Sequence, residues 1–320
     1  MSKKSVKFEG DNTLIHNDLS EESDLSNIPA VTKDSLYTND ILKLFQDSFN
    51  HILSSPSLEG FIQKVKSDLY NRDYISAFGQ DDKRMAYSAR WTPSRALCYS
   101  SLFSSLKEVK EVITDQNSKV LCVGGGAGGE LIGLSSVFTQ SRDFLNKDKY
   151  KSKLNIKLID IADWTTIVTQ LTSKVKKNWL YDEPDSLEVD FINDDVISVD
   201  PASLHLTDLN LITLLFTTNE LFAEDKAKSI RFFQALNKLC QSGAYLLISE
   251  SAGSYSHITV GSKKFPIQFL IDTILLGKKG EGEWELVNKS DSCWYRCEKD
   301  YQYPMKIENM RFFFRLYRKK

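Results

Sequence analysis

Five glycines occupy a six-residue stretch, Gly124-Gly125-Gly126-Ala127-Gly128-Gly129, directly after the apolar run Val120–Val123. Glycines so placed permit a tight strand-to-helix turn whose backbone can touch a ligand. The helix that follows exposes unpaired N–H groups in its first turn. Gly124-x-Gly126-x-x-Gly129 fits a dinucleotide fingerprint, and Gly124-x-Gly126-x-Gly128 fits the nucleoside loop of a methyltransferase. Glu130 opens the helix and would repel a pyrophosphate, which favours a cationic ligand such as S-adenosylmethionine. Gly124, Gly125, Gly126, Gly128 and Glu130 are therefore candidate cofactor contacts.

Strand ends supply the remaining candidates. Asp160 closes the run Ile156–Ile161 and could accept hydrogen bonds from two ribose hydroxyls, with Ile161 beside it in the same contact set. It lies 36 positions after Gly124, beyond the usual spacing of about 20. A polar, lysine-rich insertion at 139–153 accounts for the delay. Asp194 and Asp195 follow a third strand, where one acid could hold an adenine amino group and the other would serve a turn. Thr217, Thr218, Asn219 and Glu220 follow a fourth, at the mouth where such sheets bind ligands. The first three suit the methionine end of a cofactor or the target, or equally a helix cap.

These residues need a scaffold, and the patterning describes one. Apolar residues recur at helical spacing from Ile41 to Leu53 and from Leu58 to Leu69, and Thr92-Pro93 reads as N-cap and first position of a third helix. From Lys119 strands alternate with helices: Val120–Val123, Ile156–Ile161, Leu187–Ile192, Leu209–Phe216 and Ala244–Ser249. Helices are expected at 130–138, 164–179, 224–241 and 265–276. Two closing strands, Glu283–Ser290 and Met310–Tyr317, have no helix between them and suit an antiparallel pair. The pattern predicts a mostly parallel, doubly wound α/β sheet.

Composition narrows the class without naming it. The chain has 320 residues with 41 Lys+Arg, 43 Asp+Glu and five cysteines. Its longest apolar stretches, Leu209–Phe216 and Ala244–Ile248, fall far short of the ~18 residues of a spanning helix, so no membrane association is expected. Met1–Glu9 lacks the apolar core of a secretory signal. Cys293 and Cys297 have no second Cys/His pair, so no metal is expected. His16, His51, His205 and His257 are scattered, with no nucleophile elbow. The near-neutral total hides a balance of −4 over residues 1–50 and +5 over residues 299–320. The latter end suits an anionic partner.

Several segments carry a more specific signal. Val120–Glu130, Leu158–Trp164, Phe216–Phe222, Asp291–Arg296 and Lys306–Phe312, with Tyr87–Arg95, together resemble the fungal large-subunit (25S) rRNA uridine-N3 methyltransferases. The similarity runs from about residue 40 to the C-terminus. It implies a Rossmann-like class I methyltransferase fold, S-adenosylmethionine as cofactor and rRNA as substrate during ribosome biogenesis. A monomer is expected, acting in the nucleus or nucleolus and also in the cytoplasm, and the near-neutral charge suits rRNA presented within a pre-ribosomal particle. The division expected is an acidic, poorly ordered tail over 1–39, a helical region over 40–118 and a methyltransferase domain over 119–320.

Methylation at uracil N3 requires loss of an imide proton, for which Glu220 is the candidate base and Asp195 the second. Arg90, Arg95, Arg311, Arg315, Arg318 and the final lysines are candidate rRNA phosphate contacts. Trp294-Tyr295 and Phe312-Phe313-Phe314 could stack bases or fill a core. Two other classes compete: a nicotinamide-dependent oxidoreductase using the same glycines, and a non-catalytic methyltransferase-like assembly factor.

Overall fold

Buried β-branched and leucine runs make the strands, and the residues that interrupt them set the turns. The computed structural model describes residues 25–142, 152–253, 257–260 and 263–320. Its strands are β1 (Asn27–Ile28), β2 (Asn117–Val123), β3 (Lys153–Asp160), β4 (Leu187–Asn193), β5 (Leu211–Leu215), β6 (Tyr245–Ser251), β7 (His257–Val260), β8 (Lys263–Pro266), β9 (Trp284–Tyr295) and β10 (Met310–Lys319). Six helices precede β2: α1 (Thr38–Leu53), α2 (Leu58–Tyr70), α3 (Tyr74–Phe78), α4 (Asp81–Arg90), α5 (Thr92–Ser105) and α6 (Lys107–Thr114). The connections between strands hold α7 (Gly129–Gln140), α8 (Thr165–Asn178), α9 (Thr218–Glu224), α10 (Lys226–Leu239) and α11 (Ile267–Leu276).

Eight strands form one sheet in the order β1-β9-β10-β6-β5-β2-β3-β4. Strands β2 to β6 run parallel, β10 is antiparallel to both β6 and β9, and β1 adds to β9 in parallel. The chain winds outward from β2 in one direction through β3 and β4, and in the other from β5 through β6. The order therefore reverses between β2 and β5, and ligands bind at such reversals, beyond the carboxyl ends of the strands. The glycine turn follows β2 and the Thr217–Glu220 segment follows β5.

Alternation along the strands splits the core between two faces. Val120, Cys122, Ile156 and Leu158 pack with Leu97 and Phe103 of α5, Leu134 of α7 and Leu171 of α8. Leu121, Val123, Ile212, Leu246 and Ile248 face Phe232 and Phe233 of α10 and Ile271 of α11. Phe45 and Ile52 of α1 belong to the first of these clusters, so the helical region shares its core with the sheet.

The structure corrects several boundaries. Residues 25–39, expected within a loose tail, are folded: Ile28 is buried in β1 and Asp34 pairs with Lys110 at 2.9 Å. The tail before residue 25, His16, and residues 143–151 of the insertion lie outside the described residues. Thr92 is the first residue of α5 rather than its cap, a position taken by Trp91. The single helix expected over 224–241 is two, because Asp225 leaves helical geometry and caps α10 by accepting from the Lys228 N–H at 2.9 Å. Helices α3, α4 and α6 were not individually expected, although Val109 and Ile113 of α6 are buried at helical spacing. In α4 the buried face is Ala86, Tyr87, Ser88 and Ala89, small or polar residues that hide the amphipathic period.

Candidate cofactor and substrate site

The glycine turn is closed by side chains from three other segments. Gly124 (φ 74°) and Gly128 (φ 88°) occupy the left-handed region that only glycine enters without strain. A Cβ on Gly124 would meet Thr217 at 2.3 Å, one on Gly126 would meet Trp164 at 2.0 Å, and one on Gly128 would meet Leu171 at 2.3 Å. The motif is thus dictated as much by what packs against the turn as by any ligand. The Gly124 N–H donates to the Ile159 carbonyl (2.8 Å), anchoring the turn to β3.

Asp160 braces that turn from the end of β3. Its Oδ2 accepts from the Gly126 N–H (3.1 Å) and its Oδ1 from the Ala162 N–H (3.1 Å). Burial raises its pKa. A carboxylate has about four acceptor positions, so both oxygens keep capacity for hydroxyl donors. Ile161 next to it is 60% exposed, an apolar surface beside those acceptors. The Asp194 N–H donates to the Asp160 carbonyl (3.0 Å), which brings the two strand ends together. Asp195 closes its own turn: its oxygens accept from the Ile197 N–H (3.2 Å) and the Ser198 hydroxyl (2.5 Å). Asp194 is exposed beside Asp160, and its Oδ1 accepts from the Asp195 N–H (2.8 Å).

Three glutamates and an arginine stand between the glycine turn and β6. Glu130, 3% exposed, lies under Gly125 and accepts from the Thr213 hydroxyl at 3.4 Å. Burial pushes its pKa up to about 8, with Asp160 adding to the rise. It is a buried member of this acid group rather than a surface charge on the first turn of α7. Glu220 opens to solvent on its outer side while protein crowds its carboxyl. That crowding, reinforced by Glu250 and Asp160 and opposed by Arg95, pushes it up to about 7. Glu250, 2% exposed, ends up at about 7 through burial, although it accepts from the Asn219 N–H (2.9 Å) and side-chain amide (2.8 Å). The residue was missed in the sequence. Its one signal is a charge placed by alternation on the same face as Leu246 and Ile248.

Arg95 is the cation of this group. Its guanidinium lies 5.2 Å from the Phe216 ring centroid. Burial alone would lower its pKa, but Tyr87, Tyr99 and Glu220 outweigh burial and the net shift is upward. Phe216 itself is held at φ 61°, an unusual conformation for so bulky a residue. Its ring packs on Tyr99 and Phe312, each at 6.4 Å between centroids. Strain of this kind concentrates at functional sites, and here it sits at the junction of β5 and α9.

The proposed RNA contacts divide. Arg95 belongs to the acid cluster. Arg90 is tied to Glu308 (2.6 Å) and the Lys306 carbonyl (3.1 Å), and Arg315, 5% exposed, is bonded to Asp291 and to the carbonyls of Ser290 and Phe314. Arg90 and Arg315 fasten elements together, with side chains only 13% and 7% exposed, and Arg95 lies among the acids. Arg311 and Arg318 are exposed, the latter 3.7 Å from Glu285. Lys319 is buried against Glu283 (2.8 Å), and Lys320 donates to the Gly280 carbonyl (2.6 Å). Tyr295, Phe312, Phe313 and Phe314 are core; Trp294 is only half-buried. A cleft of about 800 Å³ between α8 and β4, lined by Val168, Lys176 and Phe191 among others, shares no residue with the glycine turn.

Taken as chemistry, the site offers four carboxyl groups (Glu130, Asp160, Glu220, Glu250) and one guanidinium. Such a set suits ammonium, sulfonium and hydroxyl donors and opposes a pyrophosphate. S-adenosylmethionine fits it; a nicotinamide dinucleotide does not. The family model described as "Putative SAM-dependent methyltransferase" matches residues 45–318.

The chain belongs to this family.

S-adenosylmethionine is accordingly the methyltransferase's cofactor. The chain is also 48% identical, over 92% of its length and 88% of the relative's, to the 25S rRNA (uridine(2843)-N(3))-methyltransferase of Saccharomyces cerevisiae. Among solved structures it is similar to the N-methyltransferase NodS of Bradyrhizobium japonicum WM9 in complex with S-adenosyl-L-homocysteine. That match has a TM-score of 0.42 and 12% identity, covering 83% of this chain and 99% of that one. The 1,6-didemethyltoxoflavin-N1-methyltransferase of Burkholderia thailandensis gives a TM-score of 0.41 at 11% identity, covering 80% and 89%. Among the described residues no helix is long and apolar enough to cross a membrane, and no group of three His, Cys, Asp or Glu converges as a metal site.

Proposed function

We propose that the methyltransferase transfers a methyl group to N3 of a uridine in large-subunit rRNA, with Glu220 as the proton acceptor. The observation that carries this reading is the 48% identity to the yeast uridine-N3 enzyme over 92% of the chain. The Gly124–Gly128 backbone, Asp160, Ile161 and Asp194 would hold the cofactor, with Thr217, Thr218 and Asn219 at its reacting end. When bound, S-adenosylmethionine supplies a methyl group on a sulfonium sulfur, which departs with its bonding pair as a thioether. Protonated N3 is a poor nucleophile. Glu220 takes the imide proton, and the electron pair left on N3 forms the new N–C bond. A carboxyl pushed up to about 7 suits this work, since a base operates best with a pKa near the working pH. Asn219, held by Glu250, fixes the segment carrying Glu220 and so contributes orientation.

Uracil N3 is engaged in a Watson–Crick pair, so the target must be unpaired or flipped. With a net charge of −2 and most basic side chains of the C-terminal strand already partnered, the protein lacks a broadly basic surface. Its substrate is rRNA presented within a pre-ribosomal particle, and its place of action the nucleus or nucleolus. It works as a monomer: β1 pairs with the last two residues of β9 at one sheet edge, and Glu188 and Asp190 charge the other. The test is modification mapping of large-subunit rRNA from cells carrying Asp160→Ala in place of the wild type. One N3-methyluridine signal should disappear; an unchanged map would leave a scaffold as the better reading.

A further inference from the structure

Trp294 on β9 carries two arginines. The guanidinium of Arg296 lies 4.6 Å from its ring centroid and that of Arg311 lies 5.7 Å away. Both arginines are exposed. Their hydrogen-bond partners are neutral: Arg296 donates to the Asn27 side-chain oxygen (2.6 Å) and Arg311 to the Ser292 hydroxyl (2.9 Å). Among the described residues neither pairs with a carboxylate, whereas Arg84, Arg90, Arg315 and Arg318 all do. Two like charges gathered on one indole without a counter-ion form a surface that is completed by an anion.

Register places this surface at the site. Arg311 stands opposite Trp294, and two residues along β10 Phe313 stands opposite Glu250. By alternation Arg311, Trp294 and Arg296 lie on the same sheet face as Glu250, at the carboxyl end of β6. The Ala252 N–H, just past β6, donates to the Arg311 carbonyl at 3.4 Å. Two positions of strand amount to roughly 7 Å, a separation that reaches nucleotides next to one whose base is at Glu220.

We infer that Arg296, Trp294 and Arg311 form a stacking platform for single-stranded RNA flanking the target uridine. The inference rests on the rRNA reading above. Guanidinium planes and an indole accept unstacked bases on their faces, while the guanidinium N–H groups reach phosphate oxygens. Such a platform tracks the backbone and holds neighbours splayed out without reading sequence. It has a different task from Glu220: it positions the strand and leaves the chemistry alone.

The experiment measures binding of a short oligouridylate by quenching of tryptophan fluorescence and by a salt titration. Full-length wild type is compared with Arg296→Gln/Arg311→Gln and with Trp294→Leu. Each variant should bind RNA about tenfold more weakly, while calorimetric affinity for S-adenosylmethionine stays at the wild-type value. The arginine variant should also lose about 0.7 of the log–log salt slope for each phosphate contact removed. Should either variant fold poorly, Arg296→Lys/Arg311→Lys keeps the charge and removes the planar faces. It should retain the salt slope and still bind more weakly. RNA affinity and slope unchanged in folded variants would overturn the platform and leave the rRNA reading standing. A wild type that binds oligouridylate and rRNA without salt dependence, and methylates no rRNA, would overturn the rRNA reading itself.

Discussion

Glu250 reaches from the end of β6 to Asn219 and holds it twice, at the backbone N–H (2.9 Å) and at the side-chain amide (2.8 Å). The next residue in the chain is Glu220. A buried acid thus grips the segment that presents the exposed one, and its charge also raises the partner's pKa.

Glu250→Gln should act on the pH profile as well as the rate. Removing a negative neighbour lowers the pKa of Glu220, so the acidic limb of kcat/KM against pH moves to lower pH. Loss of one grip on Asn219 should cost up to about 100-fold in kcat. A rate loss with an unmoved pH profile would mean that Glu250 is structural only.

Glu220→Gln should reduce kcat by about 10²–10⁴-fold, the usual contribution of a general base. Affinity for S-adenosylmethionine should weaken far less than the rate, through the loss of one negative charge near the ligand. Single-turnover methylation of an rRNA fragment, with calorimetry of the cofactor, measures both. Retention of full kcat would remove Glu220 from the mechanism.

Cofactor affinity should rise with pH. Glu220 and Glu250 are pushed up to about 7 and Glu130 to about 8, so each is partly protonated near neutrality. A cationic ligand binds the ionised forms better and must displace those protons. Calorimetry between pH 6 and 9, in buffers of differing ionisation enthalpy, should show tightening and proton release. A flat profile with no released protons would contradict the assignment of these acids to the ligand.

Stability of the ligand-free protein should fall over the same range. These carboxyls have folded pKa values above their unfolded ones, so the folded state binds more protons between pH 4.5 and about 8. Stability therefore decreases as pH rises through that window. Glu130→Gln should flatten the decline of Tm with pH; an equally steep decline in that variant would show that other groups cause it.

Arg95→Met and Arg311→Met should differ sharply. Removing Arg95 strips the acid cluster of its cation and should cost roughly 2–3 kcal/mol, less than a fully buried broken pair because the acids can take up protons instead. Removing exposed Arg311 should change stability by no more than about 0.5 kcal/mol. Urea unfolding of the two variants makes the comparison, and equal losses would refute it.

Legibility in the sequence followed the range of the constraint. The glycine turn and Asp160 were readable because backbone conformation at a strand end restricts residue type locally. Within the parallel run β5 was readable as a strand covered on both faces, and β3 and β4 by alternation of apolar with polar residues. Glu250 was not, since its partner Asn219 is brought to it only by β5 lying beside β6. The arginines could not be sorted either. Arg311 and Arg315 lie on one strand and one face, yet the first is open and the second sealed against Asp291. Arg315 faces Asp272 within α11 and Asp291 within β9, acids that Arg311 does not meet. Asp194 and Asp195 look alike in the sequence, yet Asp195 commits both oxygens to local bonds and Asp194 one.

The pairing of β1 with β9 sets a time order on synthesis. Asn27 meets Trp294, Thr38 bonds to Glu298 at 2.7 Å, and Arg90 bonds to Glu308 at 2.6 Å. None of these contacts can form until residues near 300 have left the ribosome, long after the glycine turn has emerged. The end of α4 at Arg90 is therefore fastened last, after α5 has packed on α7. A nascent chain halted before β9 would own the glycine loop but no finished pocket, so only a chain translated through its final strands can become active.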